Sequence, residues 1–250
     1  MLKLDKNLHL DYATHNHIKT YFEAQYPFEA CGLIINNEFV PIKNVAQDRY
    51  NDFKMPDDTL AIHHSVDAVV HSHTNGNYSP SPYDMEQQIK MGIPWGLSTV
   101  NENVATDVYF WGDTIPNVPL EGREFRSGPT GTDKKGDCYA LIRDYYRTVK
   151  GITIKEFPRD SKWWESPESN DPNMYLENFQ DAGFMPITQS ELQAGDIILM
   201  RVMARDRNPN HGGIYLGNNQ LLHHIRGRYS RKEVVNNWLK MATHYLRYNL

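Results

Sequence analysis

Two histidines stand one residue apart in Val69-Val70-His71-Ser72-His73, a run whose apolar neighbours read as a buried strand. Side chains alternate along a strand with period two, so both imidazoles point the same way. A loop from Thr74 to Tyr78 turns the chain, and Ser79-Pro80-Ser81-Pro82-Tyr83-Asp84 opens the next element. Two neutral imidazoles and one carboxylate form a three-ligand set that leaves zinc a fourth position for water, which separates a catalytic ion from a structural one. The plainer reading is two ordinary hydrogen-bonded histidines, with Ser81-x-x-Asp84 as a capping box and Pro82 at the first helical position. The two readings are compatible, because an acid in a first helical turn can both cap and ligate.

A second group of reactive types lies downstream. In Gly136-Asp137-Cys138-Tyr139-Ala140-Leu141-Ile142-Arg143-Asp144-Tyr145, apolar residues at 138, 141, 142 and 145 mark a helical face, with Asp137 as candidate N-cap. Cys138 in the first turn is then either a core residue or a nucleophile. The positive end of the helix favours thiolate, and a nearby histidine would favour it further. Asn210-His211-Gly212-Gly213-Ile214-Tyr215-Leu216-Gly217, a turn at Asn218-Asn219, and Gln220-Leu221-Leu222-His223-His224 read as a hairpin. It sets His211 beside a later histidine, one as base for Cys138 and the other orienting that base.

Both groups carry a family resemblance. Glu29-Ala30-Cys31-Gly32, a hairpin, His71-Ser72-His73, a loop, and then Pro80-Ser81-x-x-Asp84 resemble the JAMM (JAB/MPN-type) zinc peptidases. The resemblance implies His71, His73 and Asp84 as zinc ligands, Glu29 as general acid/base, and Ser81 as an oxyanion donor. The chemistry is coherent: zinc lowers the pKa of its water to about 7, and a nearby carboxylate takes and returns the proton. Thr74 stands where that family commonly has proline. Asp137-Cys138-x-x-Leu141, His211-x-Gly213-Ile214-Tyr215-x-Gly217 and Leu222-His223 resemble the NlpC-like cysteine peptidases of bacterial cell-wall peptides. Here the resemblance implies Cys138 as nucleophile, His211 as base and His223 as orienting residue, with His224 on the opposite face of its strand. Leu192 to Met200 matches that family's turn into a barrel strand. Tyr139-Ala140 replaces the usual serine and glycine, and no tyrosine upstream of Cys138 matches the one that often helps build the oxyanion hole.

The positioning elements follow from pattern. A helix is expected from His9 to Gln25, a hairpin from Gly32 to Val45 turning at Asn36-Asn37, a helix from Pro82 to Lys90 stopped by Gly92, and strands at Trp95–Val100 and Val108–Trp111. Cys31 reads as a small buried hydrophobe, and His63 and His64 as surface or turn residues. Glycine and proline recur between Gly112 and Gly136, which puts a boundary near Pro119. The expected organisation is α+β in two domains. Residues 1–118 would form a JAMM/MPN-like α/β sandwich, and residues 119–250 an NlpC-like papain-type α+β domain with an antiparallel sheet. The aromatics Trp163, Trp164, Tyr175 and Phe179 either pack an insertion onto that domain or form a lip of its groove.

At 250 residues the length accommodates two domains, and 40% hydrophobic with 23% charged residues is ordinary for a globular protein. A net charge of −5 without a basic cluster argues against a nucleic-acid partner. No apolar run approaches a membrane span and Met1-Leu2-Lys3-Leu4-Asp5 lacks a signal-peptide core, so synthesis and folding in a cytoplasm are expected. Two distant cysteines do not suggest a disulfide framework. The two resemblances in this order, with Gly122-Arg123-Glu124-Phe125 at the joint, are similar to a family of tail-assembly proteins of lambda-like siphophages. That similarity implies assembly in the host cytoplasm, a place in the virion tail tip, other tail-tip proteins and peptidoglycan stem peptides as partners, and zinc as cofactor. The competing expectation is a mainly structural tail-tip component with one or both sites inactive. A deubiquitinase-like isopeptidase is a third reading, against which the second half argues.

Overall fold

The computed structural model describes residues 8, 10–63, 65–112, 117–160, 173–204 and 208–249. Trp163, Trp164, His9 and His64 lie outside the described residues. The chain separates into two compact units, one of Met1–Pro80, Gln87–Pro116 and Gly131–Asp133, the other of Ser81–Glu86, Asn117–Thr130 and Lys134–Leu250.

The first unit opens with helix α1 (Tyr12–Gln25), which starts later than its apolar pattern suggests because Asp11 caps it, its carboxylate accepting the Thr14 N–H at 2.8 Å. Strands β1 (Cys31–Ile35) and β2 (Glu38–Ile42) form the expected hairpin, with Asn36 and Asn37 at φ 52° and 64°, the conformation a two-residue turn demands. A short helix α2 (Thr59–Ile62) precedes β3 (Ala68–His73), every residue of which is buried. Helix α3 (Pro82–Met91) then leads to β4 (Trp95–Asn101), and β5 (Val104–Ala105) and β6 (Tyr109–Trp111) complete the sheet. Helix α3 is one continuous element that the division into units cuts after Glu86.

The sheet order is β2-β1-β3-β4-β5, with β6 also on β4. β3 and β4 run parallel and the other pairs antiparallel. Period-two alternation gives the sheet two different faces. Ala30, Ile34, Ala68, Val70, Val100 and Phe110 pack with Ile18 and Phe22 of α1. Leu33, Val69, Trp95, Leu97, Tyr109 and Trp111 form the other face, where Phe53, Met55 and Tyr78 cover them. Because both faces are covered, the strands read as near-continuous apolar runs.

In the second unit α4 (Cys138–Tyr145) continues through a π-helical turn to Lys150. After it come α5 (Met174–Asn178), β7 (Phe184–Ile187), β8 (Ile197–Met200), β9 (His211–Gly217), β10 (Gln220–His223), β11 (Arg231–Val234), α6 (Asn236–Leu239) and β12 (Ala242–Tyr248). The strands order as β11-β10-β9-β8-β12-β7, every adjacent pair antiparallel. Ile197, Leu199, Ile214 and Leu222 pack in one core with Leu141, Ile142 and Tyr146 of the helical segment. Ile198, Met200 and Leu221 pack with Val235 and Trp238. This is the mixed α+β arrangement with an antiparallel sheet anticipated for this half.

A buried ionic cluster anchors the start of α4. Asp137 Oδ1 accepts the Ala140 N–H at 2.8 Å and Oδ2 the Gly128 N–H at 2.9 Å. Arg159 donates to both oxygens of Asp137, at 2.6 and 3.0 Å, and to Glu156 at 2.7 Å, while Arg143 holds the other oxygen of Glu156 at 2.6 Å. Removing one partner from such a buried set strands the remaining charges. Arg159→Met is therefore expected to destabilise the second unit by about 3–5 kcal/mol, read as a lower urea midpoint for that unit in the intact chain. An unchanged midpoint would mean that the cluster adds no stability.

Candidate functional site

The three residues of the proposed ligand set come together. His71, His73 and Asp84 are buried, and one donor atom from each lies within 4.8 Å of the others. Strand parity puts the two rings on one face, and their Nε2 atoms are 3.3 Å apart. His73 Nδ1 lies 3.0 Å from the Asn77 carbonyl oxygen. A carbonyl can only accept, so this bond places the ring hydrogen on Nδ1 and leaves the Nε2 lone pair facing His71. A second partner on the far ring nitrogen is what metal-ligating histidines ordinarily have. Phe53 stacks on His71 at 4.6 Å, and Trp95 and Trp111 meet the same ring edge-on at 5.8 and 6.3 Å. This donor set, converging inside an aromatic wall, fits a zinc ion.

Asp84 also caps its helix. Ser81 N–H and Ser81 Oγ each donate to Asp84 Oδ2 at 2.7 Å, and the Asp84 N–H donates to Ser81 Oγ at 3.1 Å. The capping and converging readings of Ser81-x-x-Asp84 hold together, and the Ser81 hydroxyl proton is engaged with the carboxylate rather than directed at a substrate. Glu29 is buried two residues before β1. Cys31 pairs with His71 and the Ser72 N–H donates to the Ala30 carbonyl, so the register carried one step further sets Glu29 opposite His73. Directly opposed residues of an antiparallel pair share a face, so a register continued in this way would put Glu29 on the histidine side. Cys31 is buried and its thiol is pushed up to about 12, chiefly by burial and then by Glu29, so it serves as an apolar residue.

In the second unit Cys138 opens α4 with Asp137 as its N-cap. Its Sγ lies 3.1 Å from the Tyr175 hydroxyl and also meets the Gly212 backbone N–H. His211 is the neighbour of Gly212, and its Nε2 is 3.0 Å from Nδ1 of His223. The histidine that pairs with His211 is thus His223. His224, on the other face of the strand end, is fully buried with its ring edge toward Phe125 at 5.2 Å. Gly213 opposes His223, where an added Cβ would come within 3.0 Å of the His223 Cβ, so the missing side chain lets that ring lean toward His211.

The electrostatics differ from the expected helix-end thiolate. The Cys138 thiol is raised to about 11 because burial, and then the Asp137 charge, outweigh the bonds from Tyr175 and Gly212. Burial dominates the dipole here. His211 is lowered to about 3 by burial and then by His223, and His223 to about 4 by burial, partly opposed by Glu233. Near neutral pH Cys138 rests as a thiol and both imidazoles are neutral.

The contacts of Tyr175, Trp238 and Glu233 at this site are not legible in the sequence. Tyr175 comes from the aromatic segment after α4, and its hydroxyl is raised well above 10 by burial and by Cys138, so it remains a donor. A Cβ at position 212 would sit 2.8 Å from that hydroxyl, which explains the glycine. Trp238 lies 4.2 Å from the His223 ring and 6.0 Å from His211, and its Nε1–H donates to Glu233 at 2.8 Å. No local pattern links these positions to the thiol or the imidazoles, because only the folded chain brings them there.

Comparison with known proteins gives the chain its relatives. The model of the NlpC/P60 family matches residues 108–247. "Tail tip assembly protein K" of Escherichia phage N15 is 30% identical over 222 residues, covering 86% of this chain and 85% of that protein. The protein of the same name from Escherichia phage lambda is 34% identical over 179 residues, covering 72% and 79%. A "Probable endopeptidase NlpC homolog" of Haemophilus influenzae is 32% identical over 108 residues, covering 43% and 44%. The chain belongs to the NlpC/P60 family, and along most of its length it is a homologue of the tail tip assembly proteins K of these two phages.

Proposed function

We propose that this protein is a phage tail-tip component whose second unit hydrolyses an amide of peptidoglycan stem peptides through Cys138, His211 and His223. The observation that carries this is the assembly at one sulfur of a capped helix start, the Tyr175 hydroxyl and the Gly212 N–H, next in chain to the His211–His223 pair. His211 Nδ1 takes the thiol proton as the sulfur attacks the carbonyl carbon. The C–N bond then breaks as His211 returns that proton to the leaving amine, and water releases the acyl group. His223 orients His211, and the Tyr175 hydroxyl supplies the oxyanion bond for which no upstream tyrosine matches the family's. The scissile amide in this reading joins D-glutamate to a diamino acid. Delivery by the particle after assembly in the host cytoplasm accounts for access to the wall, with other tail-tip proteins as neighbours. Among the described residues no helix is long and apolar enough to cross a membrane.

The first unit, on this reading, is a JAMM/MPN-like peptidase that cleaves a peptide or isopeptide bond. His71, His73 and Asp84 would hold zinc, with Nδ1 of His73 anchored on the Asn77 carbonyl. The ion would supply a Lewis acid and acidify a water. Glu29 takes and returns a proton, and Ser81 serves as oxyanion donor once its hydroxyl leaves Asp84. A mainly structural role is the competing reading, and what favours it is the buried, protonated thiol.

Digestion of purified peptidoglycan tests the main reading. Cys138→Ala and His211→Ala are expected to abolish amide cleavage, whereas His71→Ala leaves it unchanged. Tyr175→Phe should lower kcat about a hundredfold while KM moves little, the cost of one oxyanion donor. An intact protein that cleaves no stem peptide would favour the structural role.

Elemental analysis of the purified chain should find one zinc, removed by a chelator and absent from His71→Ala or Asp84→Ala. A metal-free wild type that takes up no zinc on titration would overturn the assignment.

The buried histidines also set a pH limit. His211, His223 and His224 are lowered from 6.5 to about 3, 4 and 4. The unfolded chain therefore binds more protons than the folded one below pH 6.5, and stability falls with pH. The second unit should be fully stable above about pH 6.5 and lose stability progressively toward about pH 4, seen as a falling melting temperature. A flat profile over that window would show that these rings are not held neutral.

A further inference from the structure

The protons along the His211–His223 pair lead to a residue outside the proposed thiol chemistry, and the inference rests on that chemistry. His211 Nε2 and His223 Nδ1 share one hydrogen across 3.0 Å. For His211 to accept a proton on Nδ1, that atom must hold a lone pair, so the ring hydrogen sits on Nε2 and is donated to His223. His223 Nδ1 then accepts, which puts the hydrogen of His223 on its own Nε2. The opposite arrangement, with His223 donating, leaves His211 protonated on Nδ1 and unable to act as base.

Something must choose between the two. His223 Nε2 is buried and faces Glu233 Oε2 at 3.5 Å. Pairing of β10 with β11 puts Leu221 opposite Glu233 and His223 opposite Arg231, so Glu233 is the diagonal neighbour of His223 on one face. Its carboxylate is fixed in turn: Trp238 Nε1–H donates to Oε2 at 2.8 Å, and Arg231 holds Oε1. Burial works against its charge, but Trp238, Arg231 and His223 outweigh it and hold Glu233 below the usual carboxylate range. Trp238 lies against both imidazoles, so the same side chain that orients the carboxylate also limits how the rings rotate.

We propose that Glu233 is a positioning residue that sets the tautomer of both imidazoles. Its carboxylate, acceptor-only, holds the His223 hydrogen on Nε2, which turns His223 Nδ1 into an acceptor and leaves the Nδ1 lone pair of His211 for Cys138. When His211 becomes an imidazolium, the same carboxylate faces the far end of the pair and stabilises the charge.

Nitrogen-15 correlation spectra of the full-length chain with labelled histidine test this without any turnover. Wild type is expected to carry Nε2–H on both His211 and His223, and Glu233→Ala to shift His223 toward Nδ1–H, with Glu233→Asp partly restoring the original pattern. A wild type with Nδ1–H on His223, or a Glu233→Ala spectrum identical to wild type, overturns the proposal. In stem-peptide cleavage Glu233→Ala should reduce kcat about tenfold or more with KM unchanged. A kcat equal to wild type also overturns it. If wild type cleaves nothing while both rings carry Nε2–H, the tautomer assignment stands and the peptidase reading falls.

Discussion

The buried pairing of Asp137 with Arg159 organises the second unit. One carboxylate caps α4, receives the Gly128 N–H from the preceding loop, and is gripped at both oxygens by a guanidinium that also reaches Glu156. The side chains of Arg159 and Asp137 are 1% and 7% exposed, so neither ion can fall back on water. A bidentate arginine is the partner that satisfies a buried carboxylate with least freedom left over. The consequence is a fixed position for Cys138, the residue that follows Asp137. The same carboxylate also has a chemical effect, because its negative charge raises the thiol that it positions.

In the first unit the governing constraint is strand parity. β3 is buried on both sides, so its odd and even residues meet different worlds: Ala68 and Val70 face α1, and Val69, His71 and His73 face the aromatic wall. A slip of one residue in register would bury both imidazoles against α1 and present Val70 and Ser72 to Asp84. Gly32 helps to hold the register, since a Cβ there would lie 2.3 Å from the Phe39 ring.

Local features were legible where a short pattern determines them. The Asn36-Asn37 turn, the Asp137 cap, the helix starting at Pro82 and the pairing of His211 with a histidine after the Asn218-Asn219 turn all depend on residues close in sequence. His223 could be preferred to His224 because a strand has only two faces. What could not be read was set by distance along the chain. Tyr175 meets Cys138 from 37 residues away, and Arg159 reaches Asp137 from 22. The sequence leaves the aromatic stretch at 175–179 as packing or groove lip. Its Phe179 does pack against the core, while the hydroxyl of Tyr175 reaches the sulfur. The helix-end position favours thiolate and the burial of Cys138 opposes it; a dipole can be read from sequence and burial cannot.

Burial also dictates how the thiol site can work. Thiol raised and imidazole lowered mean that the proton rests on sulfur, so the site does not wait as a thiolate–imidazolium pair. A charged pair can form only when something compensates the loss of water around both groups. The Tyr175 hydroxyl and the Gly212 N–H at the sulfur are groups that can donate to negative charge there. The acceptors lie at the other end, beyond His211 and His223. On the proposed peptidase reading, charge separation along this line would be supported at both ends, so deprotonation of the sulfur would be coupled to its attack on the carbonyl. A neutral, buried resting state also lowers the thiolate fraction, and with it the rate at which Cys138 reacts with oxidants.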